Sequence, residues 1–372
     1  MTKKPLTGTM LSPAVASAYA SAGTAAKTVQ APMIRQDPQK LTLLPDGIYI
    51  GLSSERYHAD PALGSSNIRD LRKGANLYWH KSRMNPNRPK DKKTPSKILG
   101  TAVHRLLLDG MDAYEADFVR GPYGPDDDLS PGDKSSLTKA AKAKLLQGQE
   151  LLSQEDFDFV LGCKDVLDRD PDLQGCLDNG LSEVSIFWTR KDLVRCKARL
   201  DKLKIRGIGD LKTIANERER PLDQACLLDI GTYRYDIPVA HYSEGRRRMA
   251  GFLDRGKVFT EDGEELLAAD FPQGREVLDF LYKCAAEDHF GFQLVFIPKQ
   301  GAPDAWSCTI TPVIENPIYA EACVDIEAAI DVYKAALAKY GTSRWLPGHS
   351  VEEVTPDMLP FGFGKRRPAG VR

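Results

Sequence analysis

No window of this sequence approaches eighteen consecutive apolar residues, so no membrane-spanning helix is expected. An excess of one charge is missing too, since 51 Lys and Arg stand against 52 Asp and Glu. A near-neutral chain is not a general polyanion binder, and any nucleic-acid surface must be local. The seven cysteines include no C-x-x-C pair. Their odd number argues against a disulfide framework, the missing pair against zinc, and reduced thiols in core positions are expected. A Gly-rich phosphate loop, a helicase signature, an EF-hand spacing and an internal repeat are all absent, so ATP hydrolysis is not indicated. The start Met1-Thr2-Lys3-Lys4 leads into no proper apolar stretch, because Gly8, Pro13 and several hydroxyl residues break Leu6 to Ser17. A secretory leader is therefore not read, and a cytoplasmic location is expected.

What is present suffices for a full core: 42% of 372 residues are hydrophobic. One main α/β domain is expected over 43–352. Residues 1–42 are rich in Ala, Ser, Thr and Pro with almost no aromatics, and read as a disordered tail. Residues 353–372, with Lys365, Arg366 and Arg367, read as a basic tail.

Glu183 to Thr189 alternates and is rich in β-branched and aromatic residues. Val194 to Asp201 alternates strictly after a short polar break, as the second arm of a hairpin does. Period two places Val194, Cys196, Ala198 and Leu200 on a core face, and Arg195, Lys197, Arg199 and Asp201 on the other. Three cations lined up with one carboxylate suit a surface where a polyanion lies beside a metal ligand. Ile205 to Thr213 reads as a third short strand, with Asp210 and Lys212 to one side. A single Asp-x-Lys triplet is common by chance. Here it closes a set in which two carboxylates and one amine converge. Mg²⁺ prefers carboxylate oxygen and takes one or two protein carboxylates plus substrate phosphate. Asp201 and Asp210 suit that role, and Lys212 suits holding a nucleophilic water and offsetting charge on a phosphate. An ammonium beside a bound cation loses proton affinity, so Lys212 need not stay charged throughout.

Upstream, Lys97 to Asp109 has a helical pattern with Gly100 and His104 one turn apart. Glycine there permits close packing, and His104 is placed to reach a metal or a phosphate. Helical periods also run over Ser136 to Leu152, Glu155 to Asp168, Gly274 to Asp288 and Asp325 to Tyr340. Gly251 to Phe259 and Phe292 to Ile297 read as strands. Asp126, Asp127 and Asp128 read as a surface loop.

Gly100 to His104, Glu183, Asp201, Asp210-Leu211-Lys212 and Tyr235 to Tyr242 resemble the GxxxH, D, DxK and QxxxY series of the RecB-like branch of PD-(D/E)xK nucleases, and within it the RecE-like exodeoxyribonucleases of the exodeoxyribonuclease VIII type. Tyr57-His58, Gly64 to Ile68, Tyr233 to Asp236, Phe296 to Lys299 with Ala302-Pro303, and Trp345 to Gly348 fit the same group, in order, over about residues 45 to 350. The resemblance implies a restriction-endonuclease-like core, a central mixed β-sheet flanked by helices. It implies Mg²⁺, or Mn²⁺ in its place, held by His104, Asp201, Asp210 and the Leu211 carbonyl, with Glu183 as an outer ligand or a second-ion ligand. It implies 5′→3′ digestion of linear double-stranded DNA from its ends to leave 3′ single strands. A ring-shaped homo-oligomer and a single-strand annealing partner in a phage or prophage operon belong to the same implication. The cysteine spacing does not suggest the iron–sulfur cluster that some RecB-like nucleases carry. One departure stands out: Pro238 replaces the usual Gln, with Tyr242 intact. Proline disfavours helix continuation, so a shifted helix start or a missing DNA contact is expected there, with Tyr235 or Arg234 as substitutes.

Candidates for DNA contact are Arg195, Lys197, Arg199, Tyr235 and Tyr242. Lys191, Lys202, Lys204, Arg206 and Arg246 to Arg248 are further basic positions, each equally readable as a solvated face. Two other functions stay open: a nuclease of other polarity or an endonuclease, and a DNA-binding scaffold that kept the fold without the activity.

Overall fold

Alternation over 181–204 does build a hairpin, and a seven-stranded mixed sheet assembles around it. In this computed structural model, which describes residues 43–90, 92–260 and 272–346, the chain begins with β1 (Gly47–Tyr49), α1 (Ser54–Ala59), α2 (Ser65–Lys73), α3 (Ala75–Lys81) and α4 (Pro95–His104). A π-helical turn (Arg105–Asp109) prolongs α4. Next come α5 (Met111–Asp117), β2 (Phe118–Arg120), α6 (Pro131–Lys142), β3 (Glu150–Leu152) and α7 (Gln154–Arg169). The central part holds β4 (Leu181–Thr189), β5 (Arg195–Lys204), β6 (Gly207–Ile214), α8 (Leu222–Tyr233), α9 (Asp236–Arg247) and α10 (Met249–Leu253). The remainder is β7 (Val258–Phe259), α11 (Pro272–Ala286), β8 (Gly291–Pro298), β9 (Trp306–Ile310) and α12 (Pro317–Tyr340). The described residues all lie in the unit 41–372. The tails expected at 1–42 and 353–372 lie outside the described residues.

Strand order is β7-β1-β4-β5-β6-β8-β9. β7–β1 and β6–β8 are parallel, and the other pairs are antiparallel. The alternation of β5 works as read: Val194, Cys196, Ala198 and Leu200 are all buried, on the sheet face that α9 and α12 cover. The other face of β6 and β8, with Leu211, Val295 and Ile297, packs on Leu99, Ala102 and Val103 of α4 and on Val160 of α7. Each buried Leu, Val or Ile side chain among them contributes about 1.5–3 kcal/mol on leaving water.

Helix α4 is started by Thr94, whose side chain accepts from the Lys97 N–H, and by Pro95 in its first turn. A cap of that kind is worth about 1 kcal/mol. Gly100 lets α4 approach β6: a Cβ there would lie 3.1 Å from the Thr213 Oγ1. Helix α4 and its π turn thereby deliver His104 at a fixed height over the sheet, and such turns recur at functional sites.

Two expectations need correction. Glu150–Leu152 is not the end of a helix but β3, because it pairs in parallel with β2, a tertiary contact that period counting cannot see. Gly251 to Phe259 is not one strand: Met249–Leu253 is helical, and only Val258 and Phe259 join the sheet, through β1. The acidic residues Asp126, Asp127 and Asp128 are exposed, as expected.

Candidate metal centre

The site forms where two strands part. β5 and β6 pair only through Lys202↔Gly209, Leu203↔Ile208 and Lys204↔Gly207. Asp201 and Asp210 hold the next register position, the first beyond the fork. The open backbone is partly closed by the Leu211 N–H, which donates to Asp201 Oδ2 at 2.8 Å. On the other side, the β4–β5 register sets Glu183 opposite Asp201, between the pairs Ser182↔Lys202 and Val184↔Leu200. Glu183 has φ of 57°. Left-handed backbone at a non-glycine residue costs on the order of 1–3 kcal/mol and gathers at functional sites. His104, at the end of α4, completes the group: ligand atoms of His104, Glu183 and Asp201 all lie within 4.8 Å of one another. Glu183, for which an outer or second-ion role is expected, is one of the three residues of this group. Asp210 lies next to that group and is fully buried. It forms an ion pair with Lys212, and apart from that contact neither of its carboxylate oxygens has a hydrogen-bond partner. The Leu211 carbonyl accepts from the Lys212 ammonium at 3.4 Å.

Burial controls the charges. It pushes Asp201 up to about 6, against the pull of Lys212, and Asp210 up to about 6 in the same way. It also drives His104 down to about 4, helped by the Lys212 charge, so the imidazole is neutral and ready to ligate. For Lys212 burial pulls down, but Asp210 and Asp201 outweigh it and hold the ammonium above its ordinary range. Loss of that proton, expected beside a bound cation, is opposed by the carboxylates in the protein alone.

This donor set fits a hard divalent cation: an imidazole, carboxylates crowded at close range, and buried Asp210 oxygens whose one cationic neighbour among the described residues is Lys212. A pH dependence follows. With Asp201 and Asp210 raised to about 6, the metal-free fold binds more protons than the unfolded chain between about pH 4 and 6, and its stability falls as pH rises through that window. His104, lowered to about 4, works the other way over about pH 4 to 6.5 and offsets part of the loss. A cation needs the carboxylates ionised. The rise in Tm caused by saturating Mg²⁺ is therefore expected to be small at about pH 5 and to grow through about pH 7. A Tm shift independent of pH over that range would count against these ligands.

The strand cations are placed differently from the open track that the sequence suggested. Arg195 bonds to Asp60 and to the Leu44 carbonyl. The Lys197 ammonium, pushed down to about 8 by burial, donates to the Tyr57 and Asp60 carbonyls at 2.7 Å each. Arg199 bonds to Glu183 and to the Leu52 carbonyl. Together they clamp the 44–60 segment onto β5, and of the three only Arg199 touches the metal group. Lys202 and Lys204 likewise donate to main-chain carbonyls, of Leu108 and Gly175. Arg206 faces Glu287 and is largely exposed. Arg246 donates to carbonyls of Lys204, Ile205, Gly207 and Cys284, Arg247 to Tyr319 and Pro312, and Arg248 to Glu244. The tail cluster Lys365 to Arg367 lies outside the described residues.

The tyrosines do reach the site. Burial, followed by Asp210 and Asp201, raises the Tyr242 phenol. Its oxygen accepts from Ser65 at 3.4 Å. Tyr235 covers the Lys212 ammonium at 5.6 Å from the ring centroid. α9 begins at Asp236, so Pro238 lies in its first turn, where no intrahelical donor is lost. Ser65 and Arg69 of α2 were not foreseen. The only signal was the Gly64 to Ile68 segment, whose role the pattern did not reveal.

Residues 65–257 match the family described as "PDDEXK-like domain of unknown function (DUF3799)". The chain belongs to that family. The match includes His104, Glu183, Asp201, Asp210, Lys212 and Tyr242, and the mixed sheet with flanking helices is the α/β PD-(D/E)xK core. Among solved structures, the PDDEXK-like chain is similar to a protein from Eubacterium rectale described as a "Putative exonuclease". Identity is 16%, over 77% of this chain and 88% of that one, with a TM-score of 0.43. No curated protein matches. Among the described residues no helix is long and apolar enough to cross a membrane.

Proposed function

We propose that this PDDEXK-like chain is a Mg²⁺-dependent nuclease that degrades linear double-stranded DNA from its ends. The observation that carries this reading is the fork: Asp201 and Asp210 at one register position, His104 and Glu183 beside Asp201, and Lys212 on Asp210. When bound, a divalent cation, Mg²⁺ or in its place Mn²⁺, supplies Lewis acidity that draws charge from phosphate oxygens and lowers the pKa of water. His104, Glu183, Asp201, Asp210 and the Leu211 carbonyl would hold it. The Lys212 ammonium offers its positive charge to the attacked phosphate, where negative charge grows as the bond to the leaving oxygen lengthens. Tyr235 lies over this ammonium and the buried Tyr242 lies near the carboxylates, and their rings displace water, which strengthens each of these interactions.

The finer reading rests on the resemblance to RecE-like exodeoxyribonucleases. It comprises 5′→3′ polarity, 3′ single-stranded products for phage or prophage recombination, a ring-shaped homo-oligomer, a single-strand annealing partner and a cytoplasmic setting. Duplexes labelled at the 5′ or the 3′ end of one strand, sampled over time in Mg²⁺, test the polarity. Immediate release of the 5′ label with late loss of the 3′ label is expected. Early 3′ release contradicts the polarity, and internal fragments point to an endonuclease.

A further inference from the structure

Two tyrosines flank Arg234 and stack on each other, with ring centroids 5.9 Å apart and planes 29° apart. The inner one, Tyr235, lies against the Lys212 ammonium and the Phe296 ring, and Lys212 and Phe296 are partners in the β6–β8 register. The outer one, Tyr233, ends α8 and is 51% exposed, so no core packing accounts for its ring. The turn between them is firmly held. Arg234 is left-handed, with φ 52° and ψ 58°. Its guanidinium is fixed by Asp236 and Asp325 at 2.7 Å each, and Asp325 also binds Arg72. Arg69 ties down the Tyr233 carbonyl at 2.9 Å. The left-handed residue caps α8, with the Arg234 and Tyr235 N–H groups both donating to the Ile230 carbonyl, and the ionic contacts fix that turn in place. Here its result is a flat, exposed aromatic surface that runs out from the lysine of the proposed site.

Such a surface takes another flat ring. A nuclease substrate carries one next to every scissile phosphate, and base–aromatic stacking is indifferent to sequence. In a duplex an internal base is covered on both faces, whereas a terminal base has one face free. We propose that Tyr233 is a positioning residue that stacks the terminal nucleobase and so sets the adjoining phosphate over Lys212. This rests on the nuclease reading above.

The test is a cycle between the tyrosine and the base. Linear duplexes with natural termini, and the same duplexes with abasic terminal nucleotides, are cleaved by wild type, Tyr233→Ala and Tyr233→Phe. The readout is kcat/KM for release of the first nucleotide. On natural ends Tyr233→Ala is expected to lose about tenfold, with Tyr233→Phe near wild type. On abasic ends the loss caused by Tyr233→Ala is expected to vanish, because the partner ring has gone. An equal loss on both substrates, or no loss on either, overturns the stacking role. A wild-type chain that cleaves neither duplex overturns the nuclease reading itself, and the platform with it.

Discussion

Lys212→Ala is expected to lower Mg²⁺-dependent DNA cleavage by about a hundredfold to a thousandfold, the usual cost of removing one group aimed at transition-state charge. Lys212 is the ammonium that faces Asp210 and the charge that lowers Asp201. Two consequences separate chemistry from folding. Without the ammonium, burial loses its main counterweight at Asp201 and Asp210, so both carboxylates move further up from about 6, and the metal-free variant loses stability at neutral pH. A divalent cation replaces part of the lost charge, so the Tm gain from Mg²⁺ should exceed that of wild type. Turnover on linear duplex and Tm with and without Mg²⁺ check both halves. A variant that cleaves at the wild-type rate removes Lys212 from the mechanism.

Arg246→Met is expected to cost about 3–5 kcal/mol of stability, because buried carbonyls lose their donor. The guanidinium donates to Lys204, Ile205, Gly207 and Cys284 and lies 4.2 Å from the Phe290 ring centroid. It therefore joins the β5–β6 turn to the end of α11, behind the fork that holds the carboxylates. Arg248→Ala, two residues on, breaks a surface pair with Glu244 and should cost under about 1 kcal/mol. Urea midpoints of the two variants measure the contrast. Equal midpoints would show that Arg246 is as dispensable as its neighbour.

The placement of the candidate site's residues was legible because they sit on regular elements. Period two in β5 placed Asp201 and the core residues on their correct faces, and Asp210 with Lys212 needed only the strand rule. Gly100 and His104 followed from one helical turn. What pattern could not supply was partnership across the chain. Whether Arg195, Lys197 and Arg199 face DNA or clamp the 44–60 segment depends on Asp60 and on carbonyls about 140 residues away. Nothing in the strand itself records them. The place of Glu183 in the metal group depends on a left-handed backbone and on the hairpin register. That Pro238 falls in the first turn of α9 depends on the helix starting at Asp236, which the pattern around the proline does not fix. The stacking of Tyr233 on Tyr235 depends on Arg234, which ends α8 in a left-handed cap closed on the Ile230 carbonyl and is further held by Asp236 and Asp325.

The central claim is that His104, Glu183, Asp201, Asp210 and Lys212 form one metal-dependent phosphodiesterase site. Its most direct test is the fate of a linear DNA duplex with the purified chain in Mg²⁺, in EDTA, and with Asp210→Asn in Mg²⁺. Degradation by the wild type in Mg²⁺ alone, abolished by EDTA and by Asp210→Asn, is the predicted result. An intact duplex with the wild type in Mg²⁺, or equal degradation by Asp210→Asn, would contradict it.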